Sequence, residues 1–270
     1  MFCSLGPAEY LNKTLCFWKQ RTSNGDIAPG RQSNGTCTPM YEPDTSADAL
    51  LFTRNPTTCR YVDDENTQMI ISNTSFEVGT LLDFDRILPS TIKRGVVFYG
   101  SSSIVKWEPT LAPDFPDYST VGRGFGGSLI LQGYEEFKRI VYPLEPSVLV
   151  VYSGENDIGA GATPATVQDN FRNLIRVARR FFPKLPIAYI SIKPTPARVA
   201  LMSKMNETNI LIRGDIETLF PGVTFINIWP FMLLPNGQPN PDLFGPDHEH
   251  MNSIGYAIWT KAVTTYLASI

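Results

Sequence analysis

Gly95-Val96-Val97-Phe98-Tyr99-Gly100-Ser101-Ser102-Ser103-Ile104-Val105-Lys106-Trp107 is the stretch around which the chain is organised. Val96 to Tyr99 form a short, continuous apolar and aromatic run, the pattern of a strand buried on both faces. Gly100 breaks the run, and Ser101 to Ser103 supply hydroxyls where a helix can begin. A strand that ends this way presents a serine oxygen at the carboxyl edge of a sheet, the edge at which parallel α/β sheets hold their ligands. Gly-Ser-Ser is also ordinary turn and capping chemistry, so its meaning depends on what the other strands bring to the same edge.

Downstream the pattern is regular. Ser119 to Val121 reads as a second strand, Val148 to Tyr152 as a third, Ile187 to Ile192 as a fourth and Val223 to Trp229 as a fifth. Helices fall between them. Ile130, Tyr134, Phe137 and Val141 mark one face of the first. Thr163-Pro164 opens the next in the N-cap and N1 positions. Its apolar stripe runs through Val167, Phe171, Leu174, Ile175, Ala178 and Phe182, with Arg172, Arg176, Arg179 and Arg180 expected on a solvated face. Leu201, Met205, Ile212, Ile216 and Leu219 trace another helix, and the last begins near Asn252 with Ile254, Ile258, Ala262 and Tyr266. Strand alternating with helix predicts a three-layer α/β/α sandwich on a parallel sheet.

Residues 1–90 differ in character. They are rich in Asn, Thr, Asp, Gly and Pro, and only Ala49–Phe52 and Met69–Ile71 suggest isolated strands. They read as an accessory segment or a small binding module, with residues 91–270 as the main domain. All four cysteines, Cys3, Cys16, Cys37 and Cys59, lie here, and two disulfides are expected in an oxidising compartment. Asn12, Asn34, Asn73 and Asn206 each head an Asn-x-Ser/Thr triplet, which also favours an extracellular setting, although the residues after Met1 do not form a signal peptide.

Composition excludes several functions. Of 270 residues 43% are hydrophobic and 18% charged, enough for a sizeable core. The net charge of −3 comes with no basic tract, so nothing recommends a nucleic-acid partner. The longest apolar runs are strand-sized and too short to cross a bilayer. Oligomeric state is open.

Two histidines, His248 and His250, confine imidazole chemistry to the loop before the last helix. Asp247 lies three residues before His250, a spacing that lets a carboxylate hold the ring while its far nitrogen takes a proton from a hydroxyl. Gly154-Glu155-Asn156-Asp157 follows the third strand, where Asn156 can aim an amide N–H at a developing oxyanion. Gly122-Arg123-Gly124-Phe125-Gly126-Gly127-Ser128 follows the second, where glycines free backbone N–H groups to meet a ligand. It lacks both Gly-x-Gly-x-x-Gly spacing and a P-loop lysine.

These four blocks, in this order, resemble the SGNH hydrolases, or GDSL-type esterases and lipases. Gly100-Ser101-Ser102 resembles the nucleophile block of a Gly-Ser-Ser branch, Gly127 the glycine of the second block, Gly154-Glu155-Asn156-Asp157 the third and Asp247-His248-Glu249-His250 the last. Gly154 to Ile158 and Ser191 to Arg198 also resemble that branch. Gly122 stands where the family usually has asparagine, and His248-Glu249 where it has glycine-leucine. The resemblance covers residues 93–268. It implies a flavodoxin-like sandwich with five parallel strands and ester hydrolysis through an acyl-enzyme. Ser102 would be the nucleophile, His250 the base and Asp247 its orienter. The Ser102 and Gly127 N–H groups and the Asn156 side chain would form the oxyanion hole. No metal or organic cofactor is implied, and the substrate would be a small-molecule or acylated-carbohydrate ester.

Three other readings stay open: a carbohydrate- or ligand-binding protein with a lapsed site, a metal-dependent hydrolase using Asp247, His248 and His250, and a glycosidase, which needs two acids flanking one cleft. Trp107, Phe125, Trp229 and Phe244 are expected in the core, with the lining of an acyl or sugar pocket as the alternative. Lys193 and Arg198 are expected to form surface ion pairs, with contact to a charged substrate as the alternative.

Overall fold

The computed structural model describes three short strands, Ser4–Leu5 (β1), Cys16–Arg21 (β2) and Ile27–Gly30 (β3), and residues 94–270. The chain divides into two compact units, Met1–Val78 and Gly79–Ile270. In the first, β1 pairs antiparallel with β2, and β2 with β3. The expected cysteine pairs, the triplets at Asn12, Asn34 and Asn73, and the apolar pieces at 49–52 and 69–71 lie outside the residues whose side chains are described. Asn206 is exposed on a helix.

The second unit is the predicted sandwich. Val96–Gly100 (β4), Thr120–Gly124 (β5), Val148–Tyr152 (β6), Ile187–Ile190 (β7) and Val223–Ile226 (β8) form a parallel sheet in the order β5-β4-β6-β7-β8. The apolar runs are continuous because both faces are covered. Val97, Tyr99, Leu149, Val151, Ile187 and Tyr189 point into one core layer, and Val96, Phe98, Val148, Val150, Ala188 and Ile190 into the other. Helices Ile130–Ile140 (α3), Pro164–Phe181 (α5) and Met202–Leu219 (α6) supply the first layer. Ser102–Trp107 (α1) and Ser253–Leu267 (α7) supply the second, while the short helices Leu111–Asp114 (α2) and Glu155–Gly159 (α4) complete the set. Thr163 caps α5 as expected, its hydroxyl accepting from the Thr166 N–H.

Several expectations are corrected. The second strand extends through Gly122, Arg123 and Gly124, the first three residues of the cluster read as a loop. Its glycines serve close packing: a methyl group on Gly124 would lie 2.6 Å from the Val105 nitrogen, and one on Gly122 2.4 Å from Glu108 Cγ. Glu108 thus fills the space beside Gly122. The fourth and fifth strands end earlier than expected, at Ile190 and Ile226. Leu219 and Ile254, placed on apolar stripes, are exposed. The arginine face of α5 is only partly solvated: Arg172 grips buried Asp215 of α6 through two hydrogen bonds of 2.7 and 2.8 Å, and Arg179 donates to the Leu185 and Pro221 carbonyls.

Around Trp107, fully buried as expected, Phe98, Phe115, Tyr256 and Trp259 gather with centroid separations of 5.1–6.1 Å between ring pairs. The Tyr256 hydroxyl also donates to the Ser103 carbonyl at 2.8 Å, fastening α7 to the start of α1. Phe125 and Phe244 are core residues, and Trp229 is partly buried against the core. Among the described residues no helix is long and apolar enough to cross a membrane.

On the opposite face, the Asp157 carboxylate accepts from the Ile130 N–H at 3.1 Å and ties α3 to α4. Burial pushes this carboxyl up from 3.8 to about 6, against the hydrogen bonds from Ile130 and Asn170 that favour its charged form. A raised acid pKa means that the folded state holds the proton more tightly. The stability Asp157 contributes is therefore present below about pH 4 and lost as the pH rises through 6. At 1.36 kcal/mol per pKa unit the loss is about 3 kcal/mol. Asp157→Asn should remove this dependence, so the difference in stability between variant and wild type should shift in the variant's favour from pH 4 to pH 7. Denaturant titrations at both pH values measure it, and a constant difference would refute the assignment.

Candidate active site

The four sequence blocks meet at the carboxyl edge of the sheet. β4 lies between β5 and β6, pairing Gly100 with Gly124 on one side and Tyr152 on the other. Gly100 is obligatory there. Its φ is +154°, and a methyl group would sit 1.8 Å from the Tyr152 carbonyl oxygen. The chain then turns at Ser101 into α1, leaving the Ser102 side chain part-exposed.

The histidine loop is held locally. Asp247 Oδ1 accepts from the backbone N–H groups of Glu249 and His250 at 3.0 and 2.9 Å. Its Oδ2 lies 2.8 Å from His250 Nδ1, and His250 Nε2 lies 2.8 Å from Ser102 Oγ. Slight burial pushes the Asp247 carboxyl up, but the hydrogen bonds from the His250 ring and the two N–H groups outweigh it and hold the carboxyl well below its usual range. Asn252 completes the loop. Its Oδ1 caps α7 through Ile254 and Gly255, and its Nδ2 donates to the Asp242 and Phe244 carbonyls.

His248 is exposed and adopts a left-handed backbone (φ 57°), the conformation glycine takes at least cost. This accounts for the glycine usual at that position in the resemblance. Among the described residues no three His, Cys, Asp or Glu side chains are gathered as a metal ion would require.

Gly127 lies at an exposed turn after β5 with φ 73°. Among the described residues, the backbone N–H groups of Ser102 and Gly127 make no hydrogen bond. Asn156 is the second residue of α4, after Gly154, whose φ of 110° only glycine adopts readily. Its Nδ2 donates to the Ser128 carbonyl at 3.1 Å, joining the third block to the second. The Ser128 hydroxyl in turn donates to the Gly100 carbonyl at 3.4 Å.

Directly beneath lies a cluster that sequence reasoning missed. Lys193, expected at the surface, is 1% exposed. Its Nζ pairs with Glu155 and donates to Ser103 Oγ at 3.1 Å and Tyr152 Oη at 3.2 Å, while the Tyr152 hydroxyl donates to Glu155 Oε2 at 2.6 Å. Burial, and next the Glu155 charge, push the Tyr152 phenol well up, so it stays a donor. Arg198, also expected to form a surface pair, lies against Glu155, Asn156 and Glu249. The missed signal was register. Leu149 pairs with Ile187, and the same offset carried past the strand ends sets Glu155 opposite Lys193.

A parallel sandwich with a serine, histidine and aspartate chained at its carboxyl edge defines a class of α/β hydrolytic proteins. Residues 91–258 match the GDSL-like Lipase/Acylhydrolase family, and the chain belongs to it. Among solved structures it is similar to a Streptococcus pneumonia protein (TM-score 0.64, 19% identity, covering 76% of this chain and 100% of that one). It is also similar to a GDSL-like lipase from Bacteroides thetaiotaomicron (TM-score 0.61, 22% identity, 71% and 97%). A carbohydrate esterase of family 3 from Talaromyces cellulolyticus shares the fold (TM-score 0.51, 15% identity, 64% and 96%). No curated protein sequence matches the chain.

The buried pair makes a stability prediction. Removing one partner of a buried ion pair costs about 3–5 kcal/mol when the other charge is left uncompensated. Glu155 keeps Arg198 at 3.4 Å, so Lys193→Met should lower stability by less than that in urea unfolding, and adding Glu155→Gln should recover part of the loss. A single variant that unfolds with the wild-type midpoint would contradict the burial of this charge.

Proposed function

We propose that the chain is a serine esterase that hydrolyses carboxylic esters through an acyl-enzyme, with small-molecule or acylated-carbohydrate esters as substrates. The observation that carries this reading is the unbroken hydrogen-bonded series Asp247–His250–Ser102, with 2.8 Å at each link between side chains.

Ser102 Oγ attacks the ester carbonyl and its proton passes to His250 Nε2. Asp247 holds the other ring nitrogen and stabilises the imidazolium. The tetrahedral oxyanion takes hydrogen bonds from the Ser102 and Gly127 N–H groups and from Asn156 Nδ2. His250 gives its proton to the leaving alcohol, and the acyl group remains on Ser102. Water then attacks the acyl carbon, His250 accepts the water's proton and returns it to Ser102, and the carboxylic acid departs. The unspent N–H groups of Ser102 and Gly127 support the oxyanion assignment, and the carbohydrate esterase among the structural neighbours supports the choice of acylated sugars for assay. Residues 1–90 are proposed to be an accessory to this domain.

Ser102→Ala should lower turnover by about a millionfold without loss of fold, as removing a triad nucleophile does. A fluorophosphonate should label Ser102, read by mass spectrometry; a label on Ser101 or Ser103 would overturn the assignment.

Asn156→Ala should lower kcat about a hundred- to thousandfold with little change in KM. His250→Ala should abolish activity and His248→Ala retain most of it, with chelator having no effect. Equal losses in the two histidine variants, with activity restored by zinc after chelation, would favour a metal-dependent hydrolase instead.

A further inference from the structure

Arg198 follows β7 in the segment Pro196–Leu201, at a position whose backbone leaves the helical region (φ −121°, ψ 30°). Its guanidinium is mostly enclosed. Glu249 Oε1 lies 2.6 Å from Nη2 and Glu155 Oε1 lies 3.4 Å from Nη1, so two carboxylates hold it in place. Gly159 allows the approach, since a methyl group there would lie 3.1 Å from the guanidinium carbon. Both Nη1 and Nη2 donate to Asn156 Oδ1, each at 3.2 Å.

That last contact fixes the orientation of an amide. A guanidinium has donors and no acceptor, so the Asn156 atom facing it must be the oxygen. The amide nitrogen is then on the other side, where one N–H goes to the Ser128 carbonyl at 3.1 Å and the second is left for a ligand. With the guanidinium removed, only the Ser128 carbonyl is left to distinguish the two nearly isosteric orientations of the amide. Two charge-assisted hydrogen bonds to the amide oxygen also draw electron density from the nitrogen and strengthen its N–H groups as donors.

We propose that Arg198 is a positioning residue for ester hydrolysis, which fixes the amide orientation of Asn156 and strengthens its donation to the oxyanion. The proposal rests on the esterase reading of Ser102. Arg198 need not touch the substrate, and its charge is already matched by Glu155 and Glu249.

The test is a double-mutant cycle on the full chain, with an aryl acetate as substrate. Arg198→Met should lower kcat about 10- to 100-fold, a part of what Asn156→Ala costs, with KM changed by no more than about twofold. In the Asn156→Ala background the same substitution should cost no more than about threefold, because the group it acts through is gone. Arg198→Lys keeps the charge without the planar fork and should recover part of kcat. If Arg198→Met fails to fold by circular dichroism, the cycle with Arg198→Lys decides by the same non-additivity.

Equal losses in both backgrounds, a change confined to KM, or wild-type kcat in the single variant would overturn the proposal. Wild-type protein is assayed first, for turnover and for fluorophosphonate labelling of Ser102. Absence of both would sink the esterase reading and this proposal with it, whereas wild-type turnover with additive losses would sink this proposal alone.

Discussion

An ammonium group with almost no access to water is the constraint on which this edge of the sheet depends. An isolated charge in a protein interior costs several kcal/mol, so Lys193 must be met from several directions at once. Glu155 supplies the opposite charge, and Ser103 Oγ and Tyr152 Oη supply acceptors. Those partners come from two separate stretches of the chain. Ser103 is next to Ser102, Glu155 is next to Asn156, and Tyr152 ends the strand between them. Satisfying one lysine therefore brings the serine turn and the asparagine turn to a common centre.

The other half of the site is fixed by packing of a different kind. Asp247 and His250 organise each other locally, through the 3-residue spacing and two backbone N–H groups. What brings them to Ser102 is the docking of α7, where Tyr256 and Trp259 pack against Trp107 and the Tyr256 hydroxyl reaches the Ser103 carbonyl. The aromatic nest lies on one face of the sheet, and α3, α5 and α6 lie on the other. The serine at the head of α1 is thus set by apolar contacts from beneath and by a polar cluster at the strand ends.

Much of this was legible in the residues themselves. The strand at 96–100 and the strand at 148–152 are apolar throughout because both faces are buried, and such runs mark themselves. His250 and Asp247 stood out because histidine is scarce and the carboxylate spacing is local, and Ser102 through the resemblance of Gly100-Ser101-Ser102 to a nucleophile block. Edge strand β5 was harder to read, because glycines at 122 and 124 look like a loop when the close approach of α1 and Glu108 is unknown. Lys193 and Arg198 escaped because a cation after a strand is usually at the surface, and only the pairing of strands far apart in sequence reveals their partners. Gly100 pairs with Tyr152, and Leu149 with Ile187. Three residues beyond those strand ends, Ser103, Glu155 and Lys193 fall at equivalent positions. The information was present as register, which no local window contains.

The contact between His250 Nε2 and Ser102 Oγ joins positions 148 residues apart. Each partner is prepared locally, but the 2.8 Å link between them requires every intervening strand and helix to be in place. Contacts of such sequence separation carry a large loop-closure cost and form only as the surrounding topology condenses. On the proposed esterase reading, turnover is consequently a probe of the completed domain. A partly open chain with α7 undocked would keep most of its secondary structure, and its circular dichroism, while losing the contact between His250 and Ser102.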